Sequence, residues 1–305
     1  MNNTEKKQIA DDEIDLREMF AAIWQGKWLI VVITAVFAAT SVFYAFSLPN
    51  IYKSEALLAP VAENSGLKIP DQLGGLAALA GVNLGADGAD KTVLALEILK
   101  SREFIGRFIT KHDLFVPVMA AEGWNRADNS LVIDSDVYNV AANQWVREVK
   151  SPFQPKPSLL EVHEEFLELL SVSQDTTSGM VSLSVQHFSP YLAQQWASLL
   201  VAEINNEMRQ RELDEAQSSI AYLTTQIEQT HIADVRTMLF SLIEEQTKTV
   251  MLANVRQEYV FKTVDPAVVT EKKAKPGRVL IVTLAVILGG MLSVLVVLVR
   301  HFKRK

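Results

Sequence analysis

Two stretches of 21 residues, Trp28–Leu48 and Val279–Val299, contain no charged side chain, and they bracket a mostly polar region of 230 residues. At 1.5 Å rise per residue each stretch would be about 31 Å long as a helix, matching the hydrocarbon core of a bilayer. A helix satisfies its own backbone hydrogen bonds, so it is the form such stretches can take in lipid. Two crossings place both short termini on one side of a membrane and the central region on the other. A region of that size can bury a core of its own, in one domain or two.

Charge is distributed unevenly. Residues 1–27 carry four basic and six acidic groups, the tail 300–305 four basic and none acidic, and the region between the crossings 21 basic and 30 acidic. That acidic excess argues against nucleic acid, whose phosphates need net cationic surface. Arg300, Lys303, Arg304 and Lys305 directly follow the second stretch, which places the tail in the cytoplasm by the positive-inside rule. Lys272, Lys273, Lys275 and Arg278 are a counter-signal on the far side, but the central region is far longer than the loops that the rule governs. There are no cysteines, so disulfides, thiolate metal sites and cysteine nucleophiles are excluded; this also suits an oxidising compartment. A cleaved signal peptide is the alternative for the first stretch, and Ala45-Phe46-Ser47 resembles a cleavage site. Against it stand 27 preceding residues, acidic overall, and a run longer than a signal core.

Local patterns outline the central region. Ile14, Leu16, Met19, Phe20 and Ile23 suggest an amphipathic helix over 9–27, with Trp24 and Trp28 at interface depth. Tyr52–Pro60 reads as a strand, and the glycine-rich 62–90 as a loop matching no nucleotide-binding motif. Apolar spacing predicts a helix over Thr92–His112, and Tyr138–Val149 reads as another. Ser151–Pro157 forms a proline-rich link before a helix over Ser158–Leu170, where Ser158 and Glu161 have capping-box spacing. Met180–Phe188 alternates as a half-buried strand, and Ser189-Pro190 opens a helix. From Pro190 to about Tyr259 there is no further glycine or proline. Fully helical, that stretch would extend roughly 105 Å, so it must fold back, with Thr230-His231 the candidate reversal. Tyr259–Val269 reads as a final strand, and Pro276-Gly277 breaks the chain before the second crossing. The expected fold is membrane-anchored α+β: two terminal transmembrane helices, a small membrane-proximal α/β base with strands near 52–60, 180–188 and 260–269, and a long extended helical arm.

No constellation for catalysis is legible. The histidines (112, 163, 187, 231, 301) are scattered without a second ligand at metal spacing, and Glu161, Glu164, Glu165 and Glu168 read as a solvated helix face. No catalytic, metal or cofactor site is expected. Gly289-Gly290 in the second crossing would permit close helix packing.

Short motifs carry a family resemblance. Ile14-Asp15-Leu16 with Trp24, Gly26, Lys27 and Trp28, then Tyr52, Ser54 and Ala56, then Leu99-Lys100-Ser101-Arg102, and finally Asp265-Pro266-Ala267 with Pro276 resemble the bacterial chain-length determinant (Wzz-type) proteins, the polysaccharide co-polymerases. Where another proline would be expected around 269–273, this chain has Lys272 and Lys273. The resemblance implies an inner-membrane protein with cytoplasmic termini and a periplasmic region that assembles into a ring-like homo-oligomer. It would regulate the length of a lipid-linked glycan such as lipopolysaccharide O antigen, together with the polymerase and in contact with the glycan. Relatives that control capsule or exopolysaccharide export often carry a cytoplasmic tyrosine-kinase domain; ending at Lys305, this chain resembles the kinase-free kind. Candidate partner or packing positions are Pro266, Pro276, Gly277, Gly289 and Gly290. The rival classes are a membrane-fusion adaptor of an export system and a periplasmic sensor.

Overall fold

The computed structural model describes residues 23–61 and 87–303. Most of the expected amphipathic segment, including Ile14-Asp15-Leu16, most of the glycine-rich loop, and Arg304 and Lys305 lie outside the described residues. In chain order the elements begin with α1 (Lys27–Ser47), β1 (Tyr52–Pro60), α2 (Asp87–Lys100), α3 (Arg102–Lys111) and α4 (Phe115–Met119). Two small hairpins follow, β2 (Ala121–Asn125) with β3 (Ser130–Ile133), and β4 (Tyr138–Asn139) with β5 (Gln144–Trp145). Then come α5 (Leu159–Leu169), β6 (Leu170–Gln174), β7 (Val181–His187), α6 (Pro190–Gln229), α7 (Ala233–Val255), β8 (Phe261–Asp265) and α8 (Arg278–Phe302). The chain divides into two units, one holding α1 and α8, the other Ile51–Lys273.

The second unit is built on an antiparallel sheet of order β6-β7-β1-β8. Register pairs Tyr52 with His187 and Leu58 with Val181. Period-two alternation turns Ser54, Ala56 and Leu58 of β1 and Val181, Leu183 and Val185 of β7 into the core. Helices α3 and α5 and the first half of α6 cover that face. Trp196, 1% exposed, stacks at 5.8 Å on Phe166, which meets Phe108 at 5.7 Å. Helices on one apolar sheet face give the α+β architecture, and the strands at 52–60, 181–187 and 261–265 are its centre. β6 was not anticipated. Asp175 Oδ1 accepts the amides of Thr177 and Ser178, and Gly179 takes φ +71°, which makes a tight turn that lets β6 pair with β7.

Two helix expectations are corrected. Thr92–His112 is not one helix. Ser101 is extended and its hydroxyl accepts the Phe104 amide, starting α3 afresh, while the imidazole of His163 donates to the Lys100 carbonyl that ends α2. A serine oxygen competing for backbone amides outweighs the apolar spacing. Tyr138–Val149 is a hairpin: Asn139 Oδ1 accepts the Ala142 amide, Asn143 sits at φ +52°, and the Tyr138 hydroxyl donates to Asn143 Oδ1. Asparagines tolerate the left-handed turn that a helix forbids. Arg147 then secures the proline-rich link, donating to Gln154 O, Pro155 O and Glu161 Oε2 at 2.7–2.8 Å. The capping box at Ser158 and Glu161 is present as expected.

The long helical stretch is a hairpin. α6 ends at Gln229, Thr230 and Ile232 are extended, and α7 runs back along α6, so the reversal includes Thr230-His231. From Asn205 to Gln229 α6 rises about 36 Å, and the 23 residues of α7 descend about 35 Å. The near-equal legs return the chain to the level of Asn205.

In the first unit, α1 and α8 form an antiparallel pair. Both are long and apolar enough to cross a membrane by length and composition.

Candidate functional site

Nothing among the described residues gathers three or more metal-ligating side chains, and the features that organise this chain are structural joints. The first is the root of the arm. Asn205, 4% exposed, accepts the amides of Tyr259, Val260 and Phe261 on Oδ1, each at 2.9 Å. Its Nδ2 donates to Val201 O and Phe261 O. One amide side chain on α6 thus satisfies the turn that feeds β8, where buried backbone amides would otherwise lack partners.

Beside it, an ion-pair ladder ties α2 and α3 to α6. Lys111 meets Glu203 at 2.6 Å, Arg107 and Arg211 both meet Glu207 at 2.7 Å, and Lys91 meets Glu212 at 3.0 Å. Burial works to raise the Glu207 carboxyl, but hydrogen bonds from Arg211 and Arg107 outweigh it and hold the group below the usual range. A polar cavity of about 410 Å³ opens on the other side of Asn205, lined by Ser198, Asn206, Arg209, Gln257 and Glu258 among others.

His187 joins β7 to α6. Its Nε2 lies 3.1 Å from Pro117 O and its Nδ1 accepts the Ser189 amide at 3.1 Å, a pattern that fixes the neutral Nε2–H tautomer. Burial pushes its pKa below the ordinary value, against the opposing pull of those two backbone groups. Ser189 in turn caps α6 through the Leu192 amide, with Pro190 in the first turn.

The second joint is the helix pair. A Cβ on Gly289 would lie 2.8 Å from Phe37 Cβ, and one on Gly26 2.4 Å from Val297, so glycine at both places lets the backbones approach. Ser41, Ala45 and Ser293 continue the small-residue seam and are buried. Arg278, at the start of α8, reaches the open end of α1: Nε donates to Ala45 O at 2.9 Å, Nη2 reaches Leu48 O and Asn50 Oδ1, and the guanidinium sits 5.0 Å from the Phe46 ring centroid. A helix leaves its last four carbonyls unpaired, and this arginine supplies partners for that end. Sequence reasoning counted Arg278 only as a loop charge, because nothing local signals a contact 233 residues away.

The sequence-derived positions do not converge. Pro266, exposed, follows the end of β8, where it has no amide to continue a ladder. Pro276 accepts the Arg278 amide and Gly277 is the N-cap residue of α8. Gly289 faces Phe37, whereas a Cβ on Gly290 would meet nothing within 4 Å. Asn205, Arg278 and Gly26 are the residues this reading missed as joints.

Comparison with known proteins finds a family likeness in two segments of the chain. The model described as "Chain length determinant protein" (Wzz) matches residues 12–112, and that of the "G-rich domain on putative tyrosine kinase" matches residues 226–302. The tyrosine-protein kinases wzc of Salmonella typhi and Salmonella typhimurium are each 26% identical over 121 residues, 38% of this chain. The match spans only 16% of the length of those relatives. Among solved structures, a full-length bacterial polysaccharide co-polymerase aligns over 96% of this chain and 98% of its own, at 14% identity and a TM-score of 0.40. A fragment of WzzB, the polysaccharide co-polymerase from Salmonella Typhimurium, aligns over 74% of this chain and all of its own, at 13% identity and a TM-score of 0.32. Those structural scores are too low to argue from. The chain is thus similar to the Wzz-type chain length determinants over the segment that holds the first apolar helix and α2–α3, and to the G-rich domain model over the end of the arm and the second apolar helix.

Proposed function

We propose that this protein regulates the chain length of a surface polysaccharide, specifically lipopolysaccharide O antigen, as an oligomeric, non-catalytic scaffold that works with the polymerase. In this reading α1 and α8 cross the bacterial inner membrane with both termini cytoplasmic, and Ile51–Lys273 stands in the periplasm. The positive tail supports that orientation, and Arg278, the nearest cation of the opposing cluster, is engaged with protein carbonyls. The observation that carries the proposal is the arm. Tyr222, Met238, Phe240, Met251 and Val255 are more than half exposed on a helical hairpin. Apolar side chains left exposed along a helical hairpin call for a partner, and copies anchored in one membrane are held close enough for their arms to meet. Gly289 serves as a packing position within the protomer, Gly290 is open to a neighbouring helix, and Pro266, Pro276 and Gly277 shape the return to the membrane.

Deleting the gene and resolving the surface polysaccharide on a gel tests this. An altered modal length is expected; unchanged glycan with lost export would favour a membrane-fusion adaptor instead. In-membrane crosslinking should trap species larger than a monomer. The match to tyrosine-protein kinases and to the G-rich domain model supports a second polymer, a capsule or exopolysaccharide, and the same gels run on both polymers separate the two.

A further inference from the structure

The outer face of α8 carries a groove of about 470 Å³ lined by Leu292, Leu295, Val296, Val299, Arg300 and Lys303. These positions recur at three- and four-residue steps, so they form one stripe about 16 Å long, apolar for most of its length and cationic at its end. An adjoining face of α8 is occupied by α1, where Ser293 and Val297 are buried and Gly289 meets Phe37. Arg300 also borders a second, more polar hollow at the same end of the pair, with Gln25, Gly26 and Trp28. Within 23–50 and 274–303 there is no aspartate or glutamate. Neither Arg300 nor Lys303 has an ion pair or side-chain hydrogen bond among the described residues. The negative end of the helix dipole, about half a charge, offsets only part of that positive cluster.

We infer that this stripe is a binding site for an anionic phospholipid: one acyl chain lies along Leu292, Leu295, Val296 and Val299, and the phosphate sits between Arg300 and Lys303. The inference rests on the membrane-crossing reading of α8. Charge complementarity selects the occupant, because two cations without an acidic partner among the described residues, at the end of an apolar groove, match a phosphate at the end of a hydrocarbon chain. The competing occupant is the acidic segment Asp11, Asp12, Glu13, Asp15 and Glu18 of the same chain.

Native mass spectrometry of the full chain, delipidated in mild detergent and then given phosphatidylglycerol or phosphatidylcholine with identical acyl chains, tests the site. Phosphatidylglycerol should be retained preferentially, and Arg300→Gln with Lys303→Gln should weaken that retention about thirty-fold, roughly five-fold per cation. Lys275→Gln should leave it unchanged. Equal retention of the two lipids, an undiminished signal in the double variant, or displacement by inorganic phosphate would each overturn the inference. So would a large gain in retention on amidating the five acidic residues, since the segment would then be the occupant. Alkaline carbonate extraction separates the two readings: protein that stays with the membrane yet shows no lipid preference refutes the groove alone.

Discussion

The two halves of α6 obey different rules. From Pro190 to Met208 the helix buries Ala193, Trp196, Ala197, Leu200, Val201, Ile204 and Met208 against the sheet. Beyond Met208 only Leu213, Ala216 and Ile227 are buried, and in α7 only Ala253. The root therefore folds on its own contacts, whereas the arm holds its helices together with few buried side chains and leaves its larger apolar ones outside. A surface left apolar on a stable base is one reserved for assembly, so changes at the root should act on stability and changes in the arm on association.

The largest stability effect should come from Trp196→Ala, which removes a buried indole touching Phe166 and His187. A loss of about 3–5 kcal/mol is expected in chemical unfolding of the protein. Asn205→Ala should cost about 3 kcal/mol, because three amides, two of them buried, lose their acceptor at once; a loss under 1 kcal/mol would mean that water reaches the turn. In the helix pair, Gly289→Ala drives a Cβ into Phe37 and should cost about 1–3 kcal/mol by thermal unfolding in detergent, while Gly290→Ala should be neutral.

The joint at His187 predicts a pH dependence. Its folded-state pKa lies below the unfolded value of 6.5, so the unfolded chain takes the proton first. The stability it contributes is complete above 6.5 and drains away as pH falls below that through the folded-state pKa. The Tm of His187→Gln should vary less over that window than the parent's. The smallest stability change belongs to the arm: Phe240→Ser with Met251→Ser should shift unfolding by about 0.5 kcal/mol or less yet sharply reduce crosslinked oligomers in the membrane. An unaltered crosslinking pattern would break the contrast between root and arm.

Much of this fold was legible in the residues, and the misses share a cause. The capping box at Ser158, the cap at Ser189, the alternation in β7 and the reversal near Thr230-His231 are all signals carried within a few residues, and the structure has each of them. The hairpin at 138–145 takes the place of an expected helix, and its two asparagines, residues that favour turns, were there to be seen. The break at Ser101 was half visible, since a serine can cap, but the His163 that ends the preceding helix lies 63 residues away. β6 acquires its identity only by pairing with β7.

Length and polarity alone determined the two apolar helices, because a charge-free run of about twenty residues has few other places to go. Composition determined the helical hairpin, since without glycine or proline only the reversal near Thr230 could interrupt it. Tertiary structure alone decided that Asn205 receives three amides from residues 259–261, that Arg278 closes the end of α1, and which face of α8 stays open. Those contacts join groups 54 to 233 residues apart in the chain, and no local pattern encodes a partner that only the folded backbone brings near.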